Sequence, residues 1–279
     1  MPEDHDAGRQ LRGGEFYSPV QARLRTEEVL LTEMRQPCAR TIPRHEHELA
    51  YVTVMLAGQY TEGDHGKLDE FPPVTASFNP TGVHHASVIG PAGASFFTIE
   101  LREDSLRQLD LSLPQQKAFD RGGGAMLWTG LRLYAAFKTQ TADPLVIESH
   151  VLELSGAIAG PDSVESSAPH WLGRVKERMQ EEFCDNLRMR DLADDAGVHP
   201  VHLARVFRAR EGRTPGDYLQ RVRVRAACLK LRDPDYPLAA LAADCGFADQ
   251  SHFTRVFRKL THNTPARFRQ AIAPRAWAA

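Results

Sequence analysis

The stretches HLARVFR (His202–Arg208) and HFTRVFR (His252–Arg258) share five of seven residues at a spacing of fifty. The likeness extends to both sides. Thr214 and Pro215 match Thr264 and Pro265, Tyr218 pairs with Phe268, and upstream LADDAG (Leu192–Gly197) aligns with LAADCG (Leu241–Gly246) at a spacing of forty-nine. The one-residue slip falls between the glycine and the histidine, where a turn can absorb it. Each copy therefore predicts a short helix with a small residue at its centre (Ala193, Ala242), a glycine suited to a left-handed turn (Gly197, Gly246), and a second helix. In the second helices Leu203, Val206 and Phe207, or Phe253, Val256 and Phe257, lie at i, i+3 and i+4 and form a core-facing stripe. Each copy is a helix-turn-helix. The segment that joins them, TPGDYLQRVRVRAACLKLRD, opens with Thr214 as cap, a proline at the first helical position and Asp217 three residues past the cap. A connecting helix with a stripe of Tyr218, Val222 and Leu229 is expected there.

A chain of 279 residues with 42% hydrophobic and 25% charged residues has room for two cores. No apolar run approaches the roughly 20 residues of a membrane helix, and the start MPEDHDAGRQ lacks the basic-then-apolar layout of a secretory signal, so a cytoplasmic protein without membrane contact is expected. Cys38, Cys184, Cys228 and Cys245 are scattered without a CxxC pair, which argues against a thiolate zinc site. The net charge of -2 conceals a segregation: residues 1–170 hold 14 Lys+Arg against 23 Asp+Glu, and residues 171–279 hold 20 against 13. An acidic part beside a basic helical part suits a DNA-binding domain attached to something else.

GPDSVESSAP (Gly160–Pro169) has linker composition. The expected organisation is thus residues 1–159, a linker over 160–170, and a helical domain over 171–279. Before the linker, VLLTEM, AYVTVMLAG, VTASF, ASVIG and SFFTIEL read as short strands separated by turns. Two helices should follow, one with Leu127, Leu131, Tyr134 and Phe137 in register, the other with Val146, Val151 and Leu154. They would cover the strands or offer a homodimer surface. The fold class is α+β in two domains, an antiparallel β-barrel with a helical pair followed by an all-α double helix-turn-helix.

The region from about Trp171 to Ile272 resembles the DNA-binding domain of the AraC/XylS family of transcription regulators, above all in LAADCGFADQSHFTRVFRKLTHNTPARFR (Leu241–Arg269). Carried over by position, the resemblance implies a base-reading surface of Pro200, Val201, Ala204 and Arg205 in the first module and Gln250, Ser251, Thr254 and Arg255 in the second. Arg208 and Arg258 suit the phosphate backbone. Gln and Arg can address adenine and guanine edges, whereas Val and Ala offer only contact to a thymine methyl, so the second module should read more sequence. His202 and His252 are expected to be half-buried, and His199 stands where the family has a Ser-type helix cap. Double-stranded DNA is the implied partner, with a small-molecule effector and, for an activator, RNA polymerase.

IPRHEHELAYVTVMLAG (Ile42–Gly58) and FNPTGVHHAS (Phe78–Ser87) resemble the two motifs of the cupin barrel. His45 and His47, two apart on a strand, share a face, and PTGVHH supplies His85. The resemblance implies an effector pocket walled by His45, His47, Tyr51 and His85. A divalent metal on His45, His47 and His85 is the other reading. Metal-binding cupins carry a glutamate where this chain has Tyr51, or Val52 if the spacing is one longer, which counts against the alternative function, a metal-dependent cupin dioxygenase or isomerase fused to a DNA-binding module. No catalytic residue is assigned.

Overall fold

The computed structural model describes residues 9–64, 67–102, 104, 107, 113–120, 123–139, 144–159 and 169–272. The stretch read as a linker lies outside these residues up to 168. The chain divides into two compact units either side of residue 160. No described helix is long and apolar enough to cross a membrane.

The first unit is built on two long antiparallel strands, β5 (Ala50–Asp64) and β8 (His85–Leu101). Sequence reading divides this material into shorter strands and ends the first of them at Gly58; in the structure each strand runs on through a bend. The register shifts between Met55 and Ala57 and again between Gly58 and Tyr60. At the bend the two backbones nearly touch: a Cβ on Gly58 (φ 101°) would lie 2.1 Å from the Gly93 carbonyl oxygen, and one on Gly93 (φ 67°) 2.3 Å from that of Gln36. Only glycine fits either place.

Each long strand thereby serves two half-sheets. Residues 50–58 of β5 pair with the end of β8, flanked by β3 (Val29–Gln36) with β2 (Val20–Arg25), and on the other side by β7 (Thr75–Asn79) with β9 (Ala118–Asp120). Residues 60–63 pair with the start of β8, flanked by β4 (Arg40–His47) and β6 (Lys67–Phe71). Strand β1 (Arg9–Leu11) adds to β4 in parallel, Arg9 opposite His45. Among the described residues the pairing path does not return on itself, so the expected antiparallel barrel is here an open, bent sheet with one parallel edge.

Alternation along the first half-sheet separates two chemistries. Val52, Val54, Phe78, Phe97, Ile99 and Leu31 point to one face, and helix α1 (Ala125–Thr139) lies on it, with Phe97 5.1 Å from the Tyr134 ring and 5.3 Å from that of Phe137. The opposite face carries Tyr51, Thr53, Asn79, Thr98, Glu100 and Thr32. Helix α2 (Pro144–Ala159) packs on α1 through Ile147, Val151, Leu154 and Ile158. Val146, expected on that stripe, is exposed together with Leu145 and Leu152, because the buried face starts one residue later, at Ile147.

The second unit is helical: α3 (His170–Glu181), α4 (Met189–Ala196), α5 (Pro200–Glu211), α6 (Pro215–Lys230), α7 (Leu238–Asp244), α8 (Gln250–Thr261) and α9 (Pro265–Ile272). The pairs α4–α5 and α7–α8 are the two repeated hairpins. Thr214 Oγ1 accepts from the Asp217 N–H at 3.1 Å, and Thr264 Oγ1 from the Arg267 N–H at 3.2 Å, so both copies start their last helix with the same cap. Helix α3 completes the first core, where Trp171, Leu172, Val175 and Met179 meet Leu192, Leu203, Phe207 and Tyr218.

Helix α6 does not carry the single stripe expected of it. Tyr218 and Val222 join the first core, while Val224, Ala227, Cys228 and Leu231 are buried toward the second, and Leu229 is 36% exposed. A helix packed between two modules needs two apolar faces, and one stripe read at a fixed period finds only the first.

The two turn glycines differ in constraint. Gly197 (φ 68°) has open space where a Cβ would stand, whereas at Gly246 (φ 75°) it would lie 2.8 Å from the Cys184 carbonyl oxygen and 2.9 Å from Cys184 Cα. Gly197→Ala should therefore cost only the left-handed conformation, about 1–2 kcal/mol. Gly246→Ala should cost about 1–3 kcal/mol more, through displaced backbone. Urea unfolding of the two variants checks this; equal losses would contradict it.

Candidate nucleic-acid interface and histidine pocket

Helices α5 and α8 present the residues singled out by the repeat. His199 Nδ1 accepts from the Val201 N–H at 3.3 Å, so the histidine does cap α5, and Asp249 Oδ1 accepts from the His252 N–H at a shorter 2.7 Å to cap α8. With the core stripes turned inward, Val201, Arg205 and Arg208 stand exposed on α5, and Pro200 and Ala204 half-exposed. On α8 Gln250, Ser251, Arg255, Arg258 and Lys259 are exposed and Thr254 half-exposed; together these six line a shallow surface hollow. Lys259 was not singled out in the sequence, although it lies one turn past Arg255 on the same face.

The two faces differ chemically. Val201 is 69% exposed, an apolar side chain held in water. Arg205 donates to His202 Nδ1 at 3.4 Å. His202 is exposed rather than half-buried, with its ring centroid 6.1 Å from that of Trp171; His252 is half-buried against Phe247 at 5.4 Å. Elsewhere in this unit basic side chains are neutralised internally, as in Lys176–Glu211 (2.8 Å) and Arg178–Glu182 (3.0 Å). Among the described residues no carboxylate pairs with Arg208, Arg255, Arg258 or Lys259. Their charge is left to an external anion.

In the first unit His45 and His47 on β4 and His85 at the start of β8 come together: one ring nitrogen from each lies within 4.8 Å of the others, and all three side chains are buried. His45 Nδ1 lies 2.8 Å from the Pro43 carbonyl oxygen and His85 Nδ1 3.3 Å from that of Val83. These contacts put the proton on Nδ1 and leave Nε2 as a lone pair. Tyr51 completes the group, its hydroxyl 3.2 Å from His85 Nε2. His47 Nδ1 is buried with no hydrogen-bond partner. Burial, followed by the neighbouring His85, holds His45 down to about 4 and His47 to about 2, so both are neutral at physiological pH. Glu46 and Glu48 face away, as alternation requires: Glu46 lies 3.5 Å from His84, and Glu48 accepts from the Gly13 N–H.

The pocket these residues line is about 50 Å³, roofed by Leu11, Phe16 and Tyr17. Phe16 rests 5.5 Å from the His47 ring and Tyr17 5.0 Å from that of His45. Two charged groups nearby escaped the sequence. Glu62, buried on β5 beyond the bend, is held by Lys117 (2.8 Å) and the Tyr60 hydroxyl (2.7 Å). Its alternation with Tyr60 was the available signal, hidden when the strand was ended at Gly58. Glu100 lies opposite Tyr51 in register and accepts from the Gly14 N–H at 2.8 Å, while its Oε2 is buried without a partner.

The helix-turn-helix domain family matches residues 192–271. The transcription factor PqrA of Proteus vulgaris is 33% identical over 86 residues, which are 31% of this chain and 70% of that protein. SoxS of Escherichia coli K12 is 33% identical over 81 residues, 29% of this chain and 76% of the regulator. The chain belongs to the AraC/XylS family of transcription regulators. This makes the helical unit, where the family match falls, a sequence-specific DNA-binding domain. The bifunctional transcriptional activator and DNA repair enzyme AdaA of Bacillus subtilis is 33% identical over 110 residues, 39% of this chain, and the chain spans about half of AdaA (52%). Among solved structures, the C-terminal domain of AraT from Geobacillus stearothermophilus is 22% identical over 41% of this chain and 95% of its own, at a TM-score of 0.38.

Burial raises the Glu100 carboxyl to about 7, against the opposing Gly14 N–H and Arg23. Between the ordinary value near 4.5 and about 7 the folded chain holds a proton that the unfolded chain releases, so stability falls as pH rises through this window. Glu100→Gln keeps an acceptor for Gly14 and removes the titration. The variant should gain on the parent by about 3 kcal/mol between pH 4.5 and pH 8. Thermal melts across that range measure the gap; a constant difference would refute the assignment.

Proposed function

We propose that the whole chain is an effector-responsive, non-enzymatic transcription regulator. Residues 171–279 bind double-stranded DNA, residues 1–159 carry the effector pocket in a cupin-like sheet, and 160–170 link the two. The observation that carries the reading is the α8 surface, where arginines without internal partners stand beside Gln250 and Ser251. Gln250 and Arg255 have the donors to read base edges, with Ser251 and Thr254 beside them, while Arg258 and Lys259 suit phosphates. On α5, Pro200, Val201 and Ala204 supply apolar contact, and Arg205 and Arg208 suit the backbone. Two such helices in adjacent major grooves would read sites one helical turn apart, about 34 Å.

The first unit supports a sensing role. His45, His47, Tyr51 and His85 converge on a buried pocket, and no carboxylate stands at position 51 to complete the ligand set of a metal-dependent cupin enzyme. The exposed Leu145, Val146 and Leu152 on α2 suit contact with a second copy of the chain, and an activator would also meet RNA polymerase.

Operators selected from random duplexes test the reading. Arg255→Ala should weaken operator binding about 10- to 100-fold and relax preference at one base pair, whereas Val201→Ala should alter base preference far less. Parental affinity should fall about a thousandfold or more between 50 and 200 mM salt. A flat salt response, or equal loss of specificity in the two variants, counts against it.

A further inference from the structure

The geometry points to His202 as a positioning residue of the first module: its ring holds the Arg205 guanidinium ready for the DNA backbone, a device that the second module lacks. The inference rests on the reading proposed above, in which α5 meets DNA through Arg205, and names what fixes that contact.

The duplication supplies the comparison. Arg205 and Arg255 stand at equivalent places, each three residues past a repeated histidine, and both are exposed. Arg205 Nη2 donates to His202 Nδ1 at 3.4 Å, one helical turn away. A guanidinium has donors only, so Nδ1 accepts and the imidazole carries its proton on Nε2. His252 behaves differently. Its ring meets Phe247 edge-on at 5.4 Å and, among the described residues, does not hold Arg255.

One residue in each turn accounts for the difference. Gly246 is followed by Phe247, whereas the matching Gly197 is followed by Val198, which packs on the first core. Without a ring in its own turn to lean on, His202 lies instead against α3, its centroid 6.1 Å from that of Trp171. Trp171 is buried in the first core and is therefore a fixed support. His252, leaning on its own turn, is half-buried; His202, leaning on a neighbouring helix, is exposed beside Arg205.

The gain is pre-organisation. Ordering a long side chain at an interface lowers affinity by about two- to tenfold, and a side chain already held is spared most of that loss. The bond at Nη2 uses one of the guanidinium's five donors and leaves the parallel Nη1 and Nη2 pair free for a phosphate.

The full-length chain and its selected operator provide the test. His202→Phe keeps a ring against Trp171 and removes the acceptor, while His202→Asn places an Oδ1 acceptor where Nδ1 stood. His202→Phe should weaken operator binding about two- to tenfold, with melting temperature and salt dependence unchanged because no cation is lost. His202→Asn should restore affinity close to the parent, and His252→Phe should leave it close to the parent. Arg205→Ala should reduce the salt slope by about 1 and cost less affinity in the His202→Phe background than in the parent. Parental affinity in His202→Phe, equal losses in His202→Phe and His202→Asn, an equal loss in His252→Phe, or strict additivity with Arg205→Ala overturns this inference alone. A parental chain that selects no operator overturns the DNA-binding reading, and the inference with it.

Discussion

The first unit depends on one backbone crossing. Where Gly58 passes Gly93 there is no room for a Cβ on either, and both residues adopt positive φ. That crossing lets β5 and β8 bend together instead of fraying into separate strands, so a single pair of strands supports both half-sheets. The functional consequence is convergence. His45 and His47 reach the pocket from β4, and His85 from the start of β8, all beyond the bend; Tyr51 reaches it from the other half-sheet. Without the bend the histidines and the tyrosine would stand on one continuous surface with nothing enclosed between them.

The half-sheet nearest the helices shows how a pleat separates stability from function. Its apolar face, covered by α1, supplies burial at about 25 cal/mol per Å² and no chemistry. Its other face is polar and poorly satisfied: Thr32 Oγ1, both polar atoms of the Asn79 side chain, and Glu100 Oε2 are buried without partners. Each such atom costs on the order of 1–3 kcal/mol. A face chosen for stability alone would be filled with valine and leucine. The polar face is tolerated because the apolar one already holds the unit together.

In the helical unit α6 plays the part that the glycine crossing plays in the first. By burying Tyr218 on one side and Val224, Cys228 and Leu231 on another, it joins the core of each module. Gly246, pressed against the backbone of residues 183 and 184, ties the second turn to the end of α3, a constraint absent at Gly197. The duplicated modules are thus alike in core and cap but not in fixity, and they differ most on their outer faces, where Val201 and Ala204 stand against Ser251 and Thr254.

What could be read from the sequence followed from periodicity. The recognition helices and their buried phenylalanines were legible because a helix buried on one side writes its pattern at every third or fourth residue, and duplication wrote it twice. The histidine cluster was legible because two residues two apart on a strand must share a face. Three things were not. The two-faced α6 hid behind a single stripe, since Val224 and Cys228 fall out of register with Tyr218. Closure of the sheet depends on which strands pair, a long-range matter that alternation within one strand does not encode, and the parallel docking of β1 on β4 could not be foreseen from residues 9–11. Glu62 and Glu100 were passed over because an isolated acidic residue in a strand reads as solvent-facing until its neighbours are known. Buried charge is recognised by its partners, and Lys117 and Gly14 stand 55 and 86 residues away along the chain. The groups that tune the pocket are therefore the ones least visible in one dimension, whereas the residues that form its walls could be named in advance.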